Sequence, residues 1–212
     1  MRVVSVNVGL PREVEWKGIT VSTGIFKEPV PGAIAVRRNN LDGDRQADLT
    51  VHGGPNKAVY GYASEHYPYW QSQFPKMDLP WGAFGENLTT EGVSEDSLHI
   101  GDKLRIGSAV LMVVQPRMPC YKLQIRFGRD DIIPRFLQSG HSGFYFSIVE
   151  EGELASGSPI EFVHRDENKV TIADVNRMYL GQEPDPELAR RVLRVPVLPE
   201  GLRASLLKRA GG

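Results

Sequence analysis

Residues Leu98–Gln115 read LHIGDKLRIGSAVLMVVQ, and they carry the clearest fold signal in the sequence. Two runs rich in branched aliphatic residues, Leu98–Ile106 and Ala109–Gln115, are separated by Gly107 and Ser108. A short glycine-containing turn between two such runs is typical of a β-hairpin. The segment therefore predicts two adjacent antiparallel strands.

Further short strands are predicted on both sides of this hairpin. Arg2–Val8 alternates, which places Val4 and Val6 on one face of a strand and Val3 on the other. Other apolar or aromatic runs bounded by glycine and proline lie at Gly18–Lys27, Ala33–Arg37, Ala58–Tyr62, Phe144–Val149 and Ile160–His164. Many short strands separated by such turns predict a barrel or a sandwich.

Helical signals are concentrated after about residue 165. Three helix starts follow one another there: a capping box at 171–174, an N-cap with a proline at 185–186, and the pair at 199–200. The predicted helices end near Gly181, Arg194 and Arg209. Before this region, Asp131 is predicted to cap a helix over Ile132–Ser139.

Composition limits the class of protein. The chain has 212 residues, 41% of them apolar, which is enough for a sizeable core. The longest apolar run, Ala109–Val114, is far too short to cross a membrane, and the first residues lack the features of a secretory signal. The net charge of −1 favours no polyanionic partner, so we expect neither nucleic acid nor membrane binding. The single cysteine excludes an internal disulfide and favours the cytoplasm.

Cys120 is the first candidate for chemistry. It lies in the segment QPRMPCYK, where a predicted strand ends and two prolines stiffen the chain. Arg117 and Lys122 are close in sequence, and positive charge favours the thiolate form of a cysteine. The alternative is a buried, inert thiol, because cysteine often serves as a small apolar core residue.

The segment HGGPNK at 52–57 is the second candidate. Its successive glycines allow close approach of a ligand to the backbone or form an anion-binding nest, and Lys57 adds a point charge suited to phosphate. Arg45, a few residues earlier, could orient a polar ligand or pair with Asp48. The alternative for the segment is an ordinary turn with an exposed lysine.

Glu86 and Asn87 form a third polar cluster. Together they offer hydrogen-bond acceptors and donors that suit a heterocycle rich in N–H groups, although a capped turn would use them as well. The five histidines show no metal-binding spacing, which argues against a structural zinc site. A cysteine hydrolase that pairs Cys120 with a distant histidine stays open.

These clusters, in this order, resemble the MOSC family, named for the C-terminal domain of molybdenum-cofactor sulfurase, and most closely its YiiM-type subgroup. The matching stretches are LDGDRQADLTVHGG (41–54), KAV (57–59), EHY with Trp70 (65–70), FGENL (84–88), IGD (100–102) and QPRMPCYKL (115–123). The resemblance covers roughly residues 30–165. The helical tail is similar to the three-helix domain that follows the barrel in that subgroup.

The resemblance implies a mainly β fold: a MOSC-type β-barrel with a few short helices over residues 1–165, followed by a three-helix subdomain over 166–212. It also implies that the barrel holds the molybdenum cofactor, with the Cys120 thiolate as the molybdenum ligand. The implied contacts of the cofactor phosphate are Arg45, Lys57 and Arg117, and those of the pterin or the metal are His52, Gly53, Glu86 and Asn87.

The activity implied by the resemblance is reduction of N-hydroxylated compounds, such as hydroxylaminopurine-type bases and amidoximes. The sequence lacks a cysteine set for an iron–sulfur cluster and a dinucleotide fingerprint, so a separate flavoprotein or iron–sulfur reductase is expected to supply electrons. The basic tail around Arg190, Arg191 and Arg194 is one place where it could dock. Two alternatives are a non-catalytic cofactor carrier and a sulfur carrier with a persulfide on Cys120.

Overall fold

The computed structural model describes residues 1–47, 54–182 and 185–210 of the chain. Within them the strands are β1 (Arg2–Val8), β2 (Arg12–Trp16), β3 (Ile19–Thr23), β4 (Glu28–Pro29), β5 (Ile34–Arg37), β6 (Asn40–Leu41), β7 (Val59–Ala63), β8 (Leu88–Glu91), β9 (Lys103–Ile106), β10 (Ala109–Pro116), β11 (Phe144–Glu150), β12 (Gly152–Leu154) and β13 (Ile160–His164). The α-helices are α1 (Tyr67–Gln73), α2 (Tyr121–Phe127), α3 (Ile132–Ser139), α4 (Ile172–Leu180), α5 (Pro186–Arg194) and α6 (Glu200–Ala210).

Eight of the strands form one sheet in the order β13-β9-β10-β11-β7-β8-β1-β4, and all neighbours are antiparallel except β7 and β8. An isolated antiparallel bridge joins Arg2 of β1 to Pro159, directly before β13. The amide of Val3 also donates to the carbonyl of Ser158 at 2.9 Å. Because β1 and the start of β13 are held together in this way, the sheet forms a nearly closed barrel. The predicted mainly β fold is confirmed.

The predicted hairpin is present as β9 and β10, with Gly107 in the turn at a φ of 62°. Its first strand begins later than predicted, at Lys103. The preceding residues form a turn in which the amide of His99 donates to the Asp102 carboxylate at 2.8 Å. Such a local side-chain acceptor offers the backbone an alternative to the strand ladder.

Strand β1 departs from simple alternation. The register with β8 shifts between Val3 and Ser5, which marks a β-bulge. The bulge inserts one extra residue and moves the side-chain alternation by one position. Val3 and Val6 are therefore both fully buried in the same core cluster, and the prediction that they lie on opposite faces is wrong.

The C-terminal helices start where their capping residues predict. The Thr171 hydroxyl accepts the Asp174 amide and the Asp174 carboxylate accepts the Thr171 amide, both at 2.9 Å. Helix α5 begins after Asp185, whose carboxylate accepts the amide of Glu187 at 2.8 Å. Helix α6 begins at Glu200. Local hydrogen-bond chemistry at these positions sets the helix starts.

Helix α3 spans Ile132–Ser139 as predicted and ends at Gly140, which has a φ of 73°. Asp131 precedes it but makes no side-chain cap. Its carboxylate instead accepts hydrogen bonds from Arg129 and Arg135, both at 2.8 Å. The capping role predicted for Asp131 is therefore wrong, because two guanidinium groups compete for the same oxygens.

The helical subdomain and the barrel share one hydrophobic core. Ile172 and Val175 of α4 are fully buried in the same cluster as Leu104 and Leu111 of the barrel. Buried apolar area of this kind holds short helices that would be marginal in isolation. The boundary between residues 165 and 166 stays a prediction. None of the helices in the described ranges is long and apolar enough to span a membrane.

A second core cluster, rich in aromatic residues, lies beneath α1, α2 and α3. The rings of Tyr62 and Phe84 stack with centroids 4.5 Å apart, and Trp70 stacks on Phe136 at 6.0 Å. The indole N–H of Trp70 donates to the Tyr62 hydroxyl at 2.6 Å. Offset stacking adds to the burial energy of such large side chains. The cluster supports the segments that carry the candidate site.

Candidate functional site

A cleft with an empty volume of about 640 Å³, part of it open to solvent, lies between the end of β3, β7, β11 and the start of α2. The residues singled out from the sequence that line it are Cys120, Lys57, Asn87 and Arg117. They come from chain segments up to 63 positions apart in the sequence, counted from Lys57 to Cys120. The barrel therefore brings three separate motifs to one place.

Cys120 is half-buried and directly precedes α2, so that its carbonyl accepts the amide of Leu123 at 2.9 Å. Residues 117–119, between β10 and Cys120, include one of the two stiffening prolines. The charges of Cys120 and Lys57 attract, which opposes the lowering of the Lys57 pKa by burial. The same attraction favours the thiolate form of Cys120.

Helix α2 was not predicted from the sequence. The signal was present. Leu123 and Phe127, four residues apart, are both buried, and Gly128 ends the helix at a φ of 61°. Apolar residues at this spacing with a following glycine are typical of a short amphipathic helix.

Lys57 belongs to the 3-10 turn Pro55–Lys57, which begins after Gly54. Gly54 has a φ of 90°, a backbone conformation that favours glycine, and its carbonyl accepts the amide of Lys57 at 3.0 Å. Burial lowers the pKa of Lys57, and the charge of Cys120 opposes this. The predicted turn thus places the Lys57 amine in the cleft that contains the Cys120 thiol.

A buried ion pair forms another part of the cleft wall. Lys27 binds the Asp44 carboxylate, and their side chains are only 8% and 1% exposed. Asp44 also accepts the amide of Gly9 at 3.0 Å and the side-chain amide of Asn87 at 2.9 Å, while Asn87 accepts the amide of Tyr60 at 3.1 Å. Burial lowers the pKa of Lys27, although Asp44 opposes the shift. This network fixes Asn87 in one orientation.

Arg117 is 6% exposed and ties two segments of the site together. Its Nη1 donates to the carbonyl of Phe84 at 2.9 Å, and its guanidinium lies 4.9 Å from the ring centroid of Tyr60. Burial opposes the charge of Arg117, but Tyr60, Tyr145 and Cys120 together raise its pKa above the ordinary value. Arg117 is therefore a permanent cation in the cleft wall.

The Glu86 carboxylate lies behind the cleft rather than in its lining. It is fully buried and accepts the amides of Gly82 at 2.8 Å and Phe84 at 3.1 Å, the Thr89 hydroxyl at 3.0 Å and the Tyr67 hydroxyl. Burial raises the pKa of Glu86, and its hydrogen-bond donors oppose this. Its contacts fix the loop whose next residues line the cleft. A direct contact of Glu86 with pterin or metal stays a prediction.

The remaining predicted site residues are placed less centrally. Arg45 is exposed, between the cleft-lining residues Asp44 and Gln46. His52 and Gly53 lie outside the described residues. The roles predicted for these three residues toward a cofactor stay predictions.

Sequence reasoning missed Lys27, Asp44, Tyr60 and Tyr145, all of which line the cleft. Lys27 lies two residues after the buried Ile25, and in an extended segment such residues share a face. The position of Lys27 on the inner face could therefore have been inferred. A lysine on a buried face requires a partner. Asp44 could not be identified as that partner, because the two residues lie seventeen positions apart in the sequence.

A second cleft, with an empty volume of about 730 Å³, lies between the barrel and α4. In its wall His66 Nε2 lies 2.7 Å from the buried Glu95 carboxylate, and the ring of His66 stacks on that of His141 with centroids 3.8 Å apart. Burial opposes ionisation of Glu95, but the His66 contact and the Gly143 amide lower its pKa. Burial and the charge of His66 lower the pKa of His141 to about 4.

We expect His141 to make stability depend on pH. The folded state favours neutral His141, whose ordinary pKa is 6.5, so its contribution to the free energy of unfolding is complete above that pH and is lost as the pH falls toward about 4. The pKa of Glu95 is lowered in the folded state, so its contribution to stability is lost only at lower pH, below its ordinary pKa of 4.5. Urea unfolding at a series of pH values should show a shallower slope between pH 6.5 and 4 for His141→Gln than for wild type. Equal slopes would contradict the assignment.

A family model described as MOSC domain matches residues 48–161, just over half of the chain. The chain belongs to the MOSC domain family. A second model, described as YiiM-like, 3-alpha helix domain, matches residues 170–209, which contain α4, α5 and nearly all of α6. The chain is thus a MOSC protein with the C-terminal helical domain of the YiiM-like subgroup.

Relatives of similar length agree with this placement. The chain is 41% identical to the protein YflK of Bacillus subtilis over 98% of this chain and 93% of that one. It is 34% identical to Protein YiiM of Escherichia coli over 88% and 84% of the two chains. The crystal structure of YiiM from Geobacillus stearothermophilus superposes with a TM-score of 0.82 at 32% identity and covers 99% of this chain and 98% of that one.

A longer relative carries a functional name. A Gibberella moniliformis protein named Reductase is 30% identical over 85% of this chain. The match covers only 32% of that protein. The name Reductase therefore describes a longer protein, most of which lies outside the match.

Proposed function

We propose that this chain is a molybdenum-cofactor-dependent reductase of N-hydroxylated compounds, such as hydroxylaminopurine-type bases and amidoximes, with the Cys120 thiolate as the metal ligand. Membership of a family associated with the molybdenum cofactor supports the proposal, as does the fungal relative named Reductase. The observation that carries it is the meeting of Cys120 with the cations Lys57 and Arg117 in one cleft.

The donor set of the cleft fits the cofactor. A soft thiolate is a suitable ligand for a metal already bound by dithiolene sulfur. Lys57 and Lys122 supply point charges that suit a phosphate group. Asn87 and Asp44 offer amide and carboxylate groups for the polar edge of a pterin, although each already has partners within the wall.

The proposed reaction breaks the N–O bond of the substrate, consumes two electrons and two protons, and releases the amine and water. The cofactor, when bound, supplies the two-electron chemistry of oxygen removal. The chain supplies ligation through Cys120, neutralisation of anionic charge through Lys57, and a rigid wall through the Lys27–Asp44 pair and Arg117. Such fixed groups avoid reorganisation during the reaction.

We propose that a separate flavoprotein or iron–sulfur reductase supplies the electrons, because a single cysteine cannot hold an iron–sulfur cluster in this chain. Arg190, Arg191 and Arg194 are exposed on α5 and form a basic face that suits an acidic partner. We propose this face as the docking site. Reversing the three charges should slow partner-driven turnover and weaken its dependence on salt, and unchanged kinetics would contradict the docking site.

The proposal is tested by the content and activity of the full chain purified from a host that makes the cofactor. We expect close to one molybdenum and one pterin per chain, together with reduction of an N-hydroxylated purine by an artificial electron donor. Bound cofactor without turnover would favour a cofactor carrier. Sulfane sulfur on Cys120 without metal would favour a sulfur carrier. If the protein from a host with verified cofactor synthesis contained no molybdenum, no pterin and no sulfane sulfur, the proposal would be contradicted.

A further inference from the structure

Two tyrosines line the Cys120 cleft from neighbouring strands. Tyr60 of β7 and Tyr145 of β11 lie directly opposite each other in the sheet, so their side chains leave it on the same face. Their ring centroids are 5.2 Å apart, and both residues line the cleft together with Cys120. The pairing of the two strands therefore fixes two phenol groups in the cleft that contains the thiol.

The two hydroxyl groups have different partners. The Tyr60 hydroxyl donates to the carbonyl of Ser142 at 2.8 Å, so its proton is already used within the protein. The Tyr145 hydroxyl interacts instead with the guanidinium of Arg117, a group that can only donate. No residue in the described ranges accepts the Tyr145 proton. This proton is therefore available to a molecule bound in the cleft.

The surroundings of Tyr145 keep its hydroxyl protonated and place it near the thiol. Burial raises the pKa of Tyr145, Arg117 opposes the rise, and the charge of Cys120 adds to it. Because the pKa lies above its ordinary value of 10.0, the phenol keeps its proton at neutral pH. The influence of Cys120 on this pKa indicates that the two side chains interact electrostatically across the cleft.

We propose that the Tyr145 hydroxyl donates a hydrogen bond to the oxygen of the substrate N–O bond and is a catalytic residue of the reductase. This inference rests on the proposed function, in which the N–O bond must approach the metal ligand Cys120. Negative charge develops on the oxygen as the N–O bond breaks, and a fixed donor stabilises that charge. Tyr145 itself loses no proton. The two electrons come from the separate reductase and the two protons from solvent, and the products are the amine and water.

The first test measures binding to the cofactor-loaded protein without an electron donor, so that no turnover occurs. Calorimetry compares hydroxylaminopurine with adenine, which lacks only the oxygen atom in question. We expect wild type to bind hydroxylaminopurine about fivefold more tightly, the contribution of one hydrogen bond. Tyr145→Phe should lose most of this preference. Tyr121→Phe, which removes an exposed hydroxyl next to Cys120, is the matched control and should retain it.

The second test measures turnover of hydroxylaminopurine with an artificial electron donor. We expect Tyr145→Phe to lower kcat about 100-fold, because the loss of one donor from a preorganised site has an effect of this size. Its molybdenum content and its urea unfolding midpoint should match those of wild type, because the ring that packs on Tyr60 is retained. Tyr121→Phe should turn over at the wild-type rate.

A Tyr145→Phe variant that keeps both the binding preference and the wild-type kcat would overturn the inference and leave the reductase function standing. Loss of kcat together with loss of molybdenum or a lower unfolding midpoint would also overturn it, since Tyr145 would then have a structural role. A wild-type protein that binds the cofactor without turnover would reject the reductase function. The binding comparison would still decide whether Tyr145 contacts the oxygen.

Discussion

Replacing Cys120 with alanine is expected to remove molybdenum from the purified protein and to abolish reduction of N-hydroxylated substrates. Loss of a group that merely orients a metal ligand costs 10–100-fold in affinity or activity, so loss of the ligand itself should exceed about 100-fold. Metal content is measured by elemental analysis, and pterin by fluorescence after oxidation. We expect pterin to remain or to fall less than the metal, because Lys57 and Arg117 still line the cleft.

Met118→Ala is the matched control, since Met118 lines the same cleft two residues before Cys120 and contributes no thiolate. Both variants should unfold within about 1 kcal/mol of wild type, because neither removes a buried network. Metal retained equally by Cys120→Ala and wild type would exclude Cys120 as the ligand. Sulfane sulfur found on wild-type Cys120, with metal absent from every variant, would identify a sulfur carrier instead.

Replacing Lys27 with methionine is expected to destabilise the protein by about 3–5 kcal/mol, the typical cost of removing one partner of a buried ion pair. The Asp44 side chain is 1% exposed and, among the described residues, would keep only the Gly9 amide and the Asn87 side chain as donors. An uncompensated buried carboxylate must either stay charged at high cost or take up a proton. Urea unfolding at neutral pH measures the loss.

Two controls make this prediction specific. Lys17→Met breaks the ion pair between Lys17 and Asp130, whose side chains are 59% and 66% exposed, and should cost less than about 1 kcal/mol. Adding Asp44→Asn to Lys27→Met should restore part of the lost stability, because it removes the buried charge. A loss below about 1 kcal/mol for Lys27→Met would show that the pair does not support the cleft wall.

Cys120 and Lys27 are expected to serve different roles in the cleft, metal binding and structural support. Cys120 is half-buried at the start of α2, so we expect its loss to alter bound metal and activity much more than stability. Lys27 belongs to the network that orients Asn87, so its loss should weaken the fold and the site together. Measuring stability and metal content on both variants distinguishes the two cases.

Much of the local structure follows from short-range chemistry. The hairpin turn at Gly107, the capping box at Thr171 and the helix end at Gly140 all appear at or near the predicted positions. Each depends on a few neighbouring residues that act within one turn of chain. The resemblance carried by QPRMPCYKL and its companion motifs likewise identified the family now matched over residues 48–161.

The arrangement of the site depends instead on contacts between distant segments. No periodic signal in the sequence indicates the bulge in β1. The same holds for the Lys27–Asp44 ion pair and for the hydrogen bond from Arg117 to Phe84, which join residues far apart in the sequence. Glu86 is the clearest case, because nothing in its sequence motif indicated the four donors that surround its carboxylate behind the cleft. A charged side chain lies where its burial can be compensated, and only the folded barrel determines which partners are available there.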